Sequence, residues 1–120
     1  MWINPPASTL AALLLFACSA SAQAAVITAA ESASHVGQMV TVQGVVAEVH
    51  VTPKGTELLD FDARYPAEDF TAVVFASDAA QVGDINHFWG KRTSVTGKVE
   101  LYKGRPEIIV RSADALKILP

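Results

Sequence analysis

The sequence is poor in cysteine: Cys18 is the only one among 120 residues. A single cysteine forms no disulfide within the chain and supplies no multi-cysteine zinc site. Cys18 also lies in the apolar N-terminal segment, so a chain cleaved after that segment would have no thiol nucleophile. A folded domain made from this sequence must therefore be held together by its core.

Positive charge is also scarce. Nine Lys and Arg residues stand against 12 Asp and Glu residues, which gives a formal net charge of −3. A general polyanion-binding domain is expected to be clearly basic. Any contact with nucleic acid would have to use a local basic patch.

Catalytic motifs are missing as well. The sequence has no G-x-S-x-G nucleophile motif and no glycine-rich phosphate loop. Its three histidines, His35, His50 and His87, lack the spacing of a zinc site. We therefore expect a protein that is not an enzyme, with no cofactor and no bound metal.

The N-terminus predicts export. Leu10 to Ala17 is an apolar run too short to span a bilayer, and Ala22-Gln23-Ala24 fits a small-x-small cleavage site. The predicted boundaries are a signal peptide at 1–24 and one domain at 25–120, periplasmic or secreted, without a transmembrane segment in the mature chain. The first six residues depart from this pattern because they contain no Lys or Arg. The alternative is a lipid anchor on Cys18, because residues 15–18 resemble a lipobox.

Alternating hydrophobic residues predict a mainly β domain. A long β-branched run covers residues 38–51, and Gly44 changes its phase, which indicates a bulge. Four further strands are predicted at 57–61, 70–76, 94–102 and 107–111. A capping-box pattern at Thr28 and Glu31 predicts a short N-terminal helix, and Ser77 to Gly90 predicts a second short helix. The order of elements predicts a five-stranded OB-fold Greek-key barrel with a short helix between the third and fourth strands.

Four segments carry a resemblance to a known family: residues 40–46, 64–66, 70–75 and 90–99. They resemble small exported bacterial OB-fold proteins, and similar OB modules occur beside secreted nuclease domains. The resemblance covers the whole predicted mature chain. It implies a nucleic-acid-binding-like OB domain, and it supplies no catalytic residues.

OB-folds bind oligonucleotides and oligosaccharides on one sheet face between two loops. In this sequence the first loop carries Lys54, and the predicted hairpin carries Lys103 and Arg105. Cations neutralise phosphates and aromatic rings stack on bases, which is what a single strand requires. The predicted ligand-binding residues are Lys54, Arg64, Tyr65, Lys98, Tyr102, Lys103 and Arg105. Binding of this kind is expected to weaken steeply with salt.

Two other functions remain open. A periplasmic protein-interaction or envelope-stress module would use the same surface to dock a protein; a neutral or acidic groove would favour it, and a continuous positive groove would favour nucleic acid. A metal-dependent nuclease would need Asp60, Asp62 and Asp69 to converge beside an arginine. These residues belong to an acidic cluster, completed by Glu68, that has no calcium-loop spacing.

Overall fold

The computed structural model describes residues 23–120. The predicted signal peptide lies outside the described residues except for its last two positions. Cys18 and the predicted lipobox lie outside them entirely. Within the described range, none of the helices has the length and apolar character needed to cross a bilayer.

The described chain is mainly β. The strands are β1 (Ala25–Thr28), β2 (Met39–Val51), β3 (Glu57–Phe61), β4 (Phe70–Val74), β5 (Arg92–Lys98), β6 (Glu100–Tyr102), β7 (Arg105–Ile109) and β8 (Leu116–Ile118). One short α-helix, α1 (Ala79–Val82), is accompanied by 3₁₀ turns at Ser32–His35, Ala76–Asp78, Ile85–Phe88 and Ala113–Ala115.

The strands form one open mixed sheet, in the order β6-β7-β4-β3-β2-β5-β8, with β1 paired to β2. The pairs β1–β2 and β4–β7 are parallel. The predicted OB-like architecture is confirmed in this coarser form, but the closed five-stranded barrel is wrong. The described sheet has no pairing of β5 with β7 that would close it, and the predicted fourth strand is interrupted at Val99, which separates β5 from β6. Its N–H donates to Gln38 and its carbonyl accepts from Gly37, so the long fourth strand is divided into two.

The long strand β2 serves both halves of the sheet. Its first half, Met39–Val45, pairs with β5, and its second half pairs with β3. The register shift lies between Val46 and Glu48 rather than at the predicted Gly44. Gly44 has a different role, because a Cβ atom there would be 2.8 Å from Oδ1 of Asp62. That close approach allows the Asp62 carboxylate to accept a hydrogen bond from the N–H of Val45 at 2.9 Å.

Alternation along the strands builds the core on one face of the sheet. Leu59, Phe61 and Phe70 are fully or almost fully buried, and the two phenylalanine rings meet edge to face with centroids 5.2 Å apart. Each such side chain stabilises the fold by about 1.5–3 kcal/mol through burial. Asp60, between Leu59 and Phe61, must then point to the opposite face. That opposite face carries the candidate site.

The predicted N-terminal helix is only a 3₁₀ turn, whereas the predicted helix before β5 is present as the short α1 with 3₁₀ turns on either side. Thr28 and Glu31 form the expected reciprocal hydrogen bonds, with Glu31 accepting from the N–H of Thr28 at 3.1 Å and donating its own N–H to Thr28 Oγ1 at 3.3 Å. The segment they open is a single 3₁₀ turn. Between β4 and β5, Gly83 has a φ of +89°, so α1 ends after Val82.

Candidate functional site

A cleft of about 720 Å³ lies on the sheet face opposite the core. Its floor comes from the ladder register, which places Leu58 beside Val73, Asp60 beside Thr71 and Thr71 beside Glu107. One wall is the turn after β2, at Pro53 and Lys54, and the other is the hairpin between β6 and β7. This is the face and the pair of loops that OB-folds use to bind oligomeric ligands.

Five of the seven predicted binding residues line this cleft: Lys54, Tyr65, Tyr102, Lys103 and Arg105. Lys54 and Arg105, on opposite walls, therefore face one common space. Arg64 is exposed and Lys98 is exposed at the end of β5, and neither lines the cleft. The structure groups the five residues, and their role in binding stays a prediction.

Arg105 is held on two sides. Its guanidinium donates to Oε1 of Glu68 and lies 4.9 Å from the centroid of the Tyr65 ring. The Glu68 side chain is only 4% exposed and that of Arg105 is 45% exposed. The carboxylate is thus the buried partner of a half-exposed cation. The Glu68 carboxylate therefore neutralises much of the positive charge that Arg105 would otherwise present to a ligand.

The two tyrosines present their rings to solvent inside the cleft. Tyr65 is 65% exposed and Tyr102 is 59% exposed. The ammonium of Lys103 lies 5.4 Å from the Tyr102 ring centroid. Each tyrosine therefore has a cation against its ring and keeps more than half of its surface free. Aromatic surface in a cationic groove is the basis of stacking on nucleic-acid bases.

Carboxylates lie in a row across the strands, and two of them, Asp60 and Glu107, line the cleft. The register aligns Glu48 with Asp60, Asp60 with Thr71, Thr71 with Glu107 and Glu107 with Glu100. Like charges that face each other across strands are destabilising. Burial, with the charge of Glu100 adding to it, raises the pKa of Glu107.

Asp60 is the most deeply buried member of this row, with 2% of its surface exposed. Burial raises its pKa above the ordinary 3.8, although the nearby His50 acts in the opposite direction. Oδ1 accepts a hydrogen bond from Thr71 at 3.2 Å. Oδ2 lies 3.3 Å from Nε2 of His50, at ion-pair distance but outside hydrogen-bond geometry.

Sequence reasoning missed His50 and Glu107 as cleft residues, and considered Asp60 only as a metal ligand. A signal for them exists in the alternation of the strands. Asp60 stands between two apolar residues, and Glu107 stands one position before Ile108, which is fully buried. Alternation alone shows that such residues face away from the core, whereas only the register places them beside one another.

The arrangement required for a metal-dependent nuclease is not found. Asp60 lines the cleft, whereas Asp62 lies in a separate hollow beside Gly44 and Arg92. Among residues 23–120, no group of three or more His, Cys, Asp and Glu side chains is arranged to hold a metal ion. The hypothesis of converging carboxylates is therefore not supported by the geometry.

Charges in the cleft balance. The lining contains three cations, Lys54, Lys103 and Arg105, and three carboxylates, Asp60, Glu68 and Glu107, together with His50. The positive residues lie on the loops and the negative residues lie towards the floor. The groove is therefore not continuously positive. A ligand must match a cationic rim and an acidic floor.

Comparison with known proteins shows similarity of fold alone. No protein-family model matches the chain, and no curated protein matches it in sequence. A solved structure assigned as an aspartyl-tRNA synthetase from Leishmania major Friedlin aligns over 84% of this chain with a TM-score of 0.52 and 12% identity. The asparaginyl-tRNA synthetase from Pyrococcus horikoshii, complexed with asparaginyl-adenylate, aligns over 72% with a TM-score of 0.48 and 21% identity.

This chain covers only 22% of the Leishmania chain and 20% of the Pyrococcus chain. The activities of those full-length proteins therefore give no direct information on the function of the cleft. The alignment with a TM-score of 0.52 supports the OB-like fold and nothing further.

Proposed function

We propose that this chain is a non-catalytic OB-fold binding module whose cleft holds single-stranded nucleic acid. The observation that carries the proposal is the pair of exposed tyrosine rings, Tyr65 and Tyr102, inside one cleft whose loops carry Lys54, Lys103 and Arg105. Bases would stack on the rings while phosphates pass along the cationic rim. The acidic floor keeps the phosphates at the rim, because carboxylates repel them.

The test is fluorescence anisotropy with a labelled oligonucleotide at low salt. Tyr102→Ala should weaken binding by about 1–3 kcal/mol, the usual contribution of one stacked base. Tyr102→Phe is the matched control, because it keeps the ring and should keep most of the affinity. No binding of the unmodified protein at low salt would remove the proposal.

A second candidate, a protein-docking module, is favoured by the acidic row on the floor of the cleft. A lysine-rich extended segment of an envelope protein would place its cations over Asp60 and Glu107 and its backbone along the groove. By the criterion of groove charge, the balanced cleft favours this protein-docking candidate, whereas the exposed tyrosine rings favour a single strand. Separate anisotropy titrations of a labelled lysine-rich peptide and of a labelled oligonucleotide with the protein distinguish the two candidates, because a ligand that does not bind at low salt is excluded.

Export is the remaining part of the proposal. It is supported by the apolar run and the Ala22-Gln23-Ala24 pattern in the sequence. The proposed location is the periplasm or the exterior of the cell. Intact-mass measurement of the mature protein is the test: cleavage after Ala24 supports release, and a lipidated N-terminal Cys18 supports an anchored form.

A further inference from the structure

The acidic floor of the cleft contains hydrogen-bond acceptors without partners. The side chains of Asp60 and Glu68 are 2% and 4% exposed. Among the described residues, Oδ2 of Asp60 and Oε2 of Glu68 have no hydrogen-bond partner. Buried carboxylate oxygens without donors are costly to the fold. A donor close to Oδ2 of Asp60, Nε2 of His50 at 3.3 Å, lies outside hydrogen-bond geometry, so these atoms beside a ligand cleft indicate that a further donor group belongs there.

Glu107 extends this set of acceptors into the open part of the cleft. It is partly buried, it lines the cleft, and it lies two positions after Arg105 on the same face of β7. Arg105 contacts the Tyr65 ring, and Tyr102 faces Arg105 across the hairpin. Glu107 is therefore close to the surface on which bases would stack.

We propose that these carboxylates, with Glu107 foremost, accept hydrogen bonds from the exocyclic amino groups of bases, so that the cleft prefers cytosine to uracil. The inference rests on the proposed function and adds the class of base that the site selects. An ionised carboxylate only accepts hydrogen bonds. Cytosine offers the N4 amino donor at the position where uracil presents a keto oxygen, so one base is bound and the other repelled.

The experiment compares a short oligodeoxycytidine with an oligodeoxyuridine of the same length by fluorescence anisotropy at low salt. The two ligands have the same backbone charge and the same ring size. The intact protein should bind oligodeoxycytidine at least about tenfold more tightly, the discrimination expected of one good base contact. A ratio near one would overturn the inference and leave the proposed function standing.

Glu107→Gln tests whether this side chain is responsible. A glutamine amide both donates and accepts, so the variant should bind oligodeoxyuridine more tightly and lose most of the preference. Glu100→Gln is the matched control, because Glu100 faces Glu107 across the hairpin but is exposed. It should raise both affinities equally, since only a repulsive charge is lost.

Three further outcomes count against the inference. If Glu100→Gln alters the ratio as much as Glu107→Gln does, the preference reflects net charge and the inference is wrong. If neither oligonucleotide binds and a lysine-rich peptide does, the proposed function and this inference both fail. A persistent preference for cytosine in Glu107→Gln would likewise exclude Glu107 as its source.

Discussion

Gly97 of β5 lies directly against Ile108 of β7, so closely that a Cβ atom on Gly97 would be 2.5 Å from Cγ2 of Ile108. In the described sheet, β5 is not hydrogen-bonded to β7. The Ile108 side chain is fully buried as part of the core. The two strands are therefore held together by side-chain packing at a place where they share no backbone hydrogen bonds. The absence of a side chain at Gly97 makes this contact possible.

Gly97→Ala should destabilise the protein by about 1–3 kcal/mol, since the new methyl group overpacks a rigid β-branched side chain. Urea denaturation measures the change. Ile108→Ala alone should cost about 2–5 kcal/mol through the cavity it leaves. The double variant should cost less than the sum, because the two changes fill one space. Simple additivity would show that the two positions are not in contact.

Loss of Arg105 and loss of Glu68 should lower the free energy of unfolding by different amounts. Arg105→Gln leaves the nearly buried Glu68 carboxylate without its cation and should cost about 1–3 kcal/mol. Glu68→Gln leaves a half-exposed guanidinium that water can solvate, and should cost less than about 1 kcal/mol. Thermal or urea unfolding measures both. Equal losses would contradict the assignment of Glu68 as the buried partner.

Salt should weaken oligonucleotide binding less steeply than the count of basic residues suggests. Arg105 is occupied by Glu68, so Lys54 and Lys103 are the main cations of the cleft available to phosphates. Two phosphate contacts on a single strand give a slope of log Kobs against log salt of about −1.4. Lys103→Gln should reduce the slope by about 0.7. Lys98→Gln, which removes an exposed cation outside the cleft, is the control and should leave the slope unchanged.

Asp60 should make the fold less stable at neutral pH than at mildly acidic pH. Burial raises its folded-state pKa above the ordinary 3.8. The folded state therefore binds this proton more tightly than the unfolded state. Stability contributed by the group grows as the pH falls through the folded-state pKa, and the gain is complete below the unfolded-state value.

Asp60→Asn should accordingly raise the free energy of unfolding at neutral pH and flatten its dependence on pH, while Oδ1 can still accept from Thr71. Glu31→Gln is a control of opposite sign, because hydrogen bonds from Thr28 lower the pKa of Glu31. That variant should lose stability at neutral pH. Unfolding at a series of pH values checks both, and an Asp60→Asn variant with an unchanged pH profile would refute the role given to burial.

Several strands were predictable from local pattern. The bounds of β3, Glu57–Phe61, agree with the sequence prediction, and β2 differs from it by one residue at its start. Alternation and the glycine and proline turns are properties of neighbouring residues, so they can be read without the fold. The reciprocal hydrogen bonds of Thr28 and Glu31 are local in the same way.

Features that depend on distant partners were missed. Strand β1 is four residues long, and its parallel pairing brings Ala25 beside Val40. The bulge was assigned to Gly44, although the register shift lies after Val46. Gly44 looks like a bulge in sequence, but the reason for a glycine there is the approach of the Asp62 carboxylate, 18 residues further on.

The sequence by itself determined several of the strands, such as β2 and β3, and which side chains face away from the core, because these follow from side-chain alternation and backbone preference over a few residues. Only the tertiary structure decided which outward-facing residues meet. It placed Asp60 and Glu107 on one floor, paired Arg105 with Glu68 and left Lys98 outside. The physical reason is register: a pairing between strands distant in sequence determines which charges share a surface, and local pattern does not specify it.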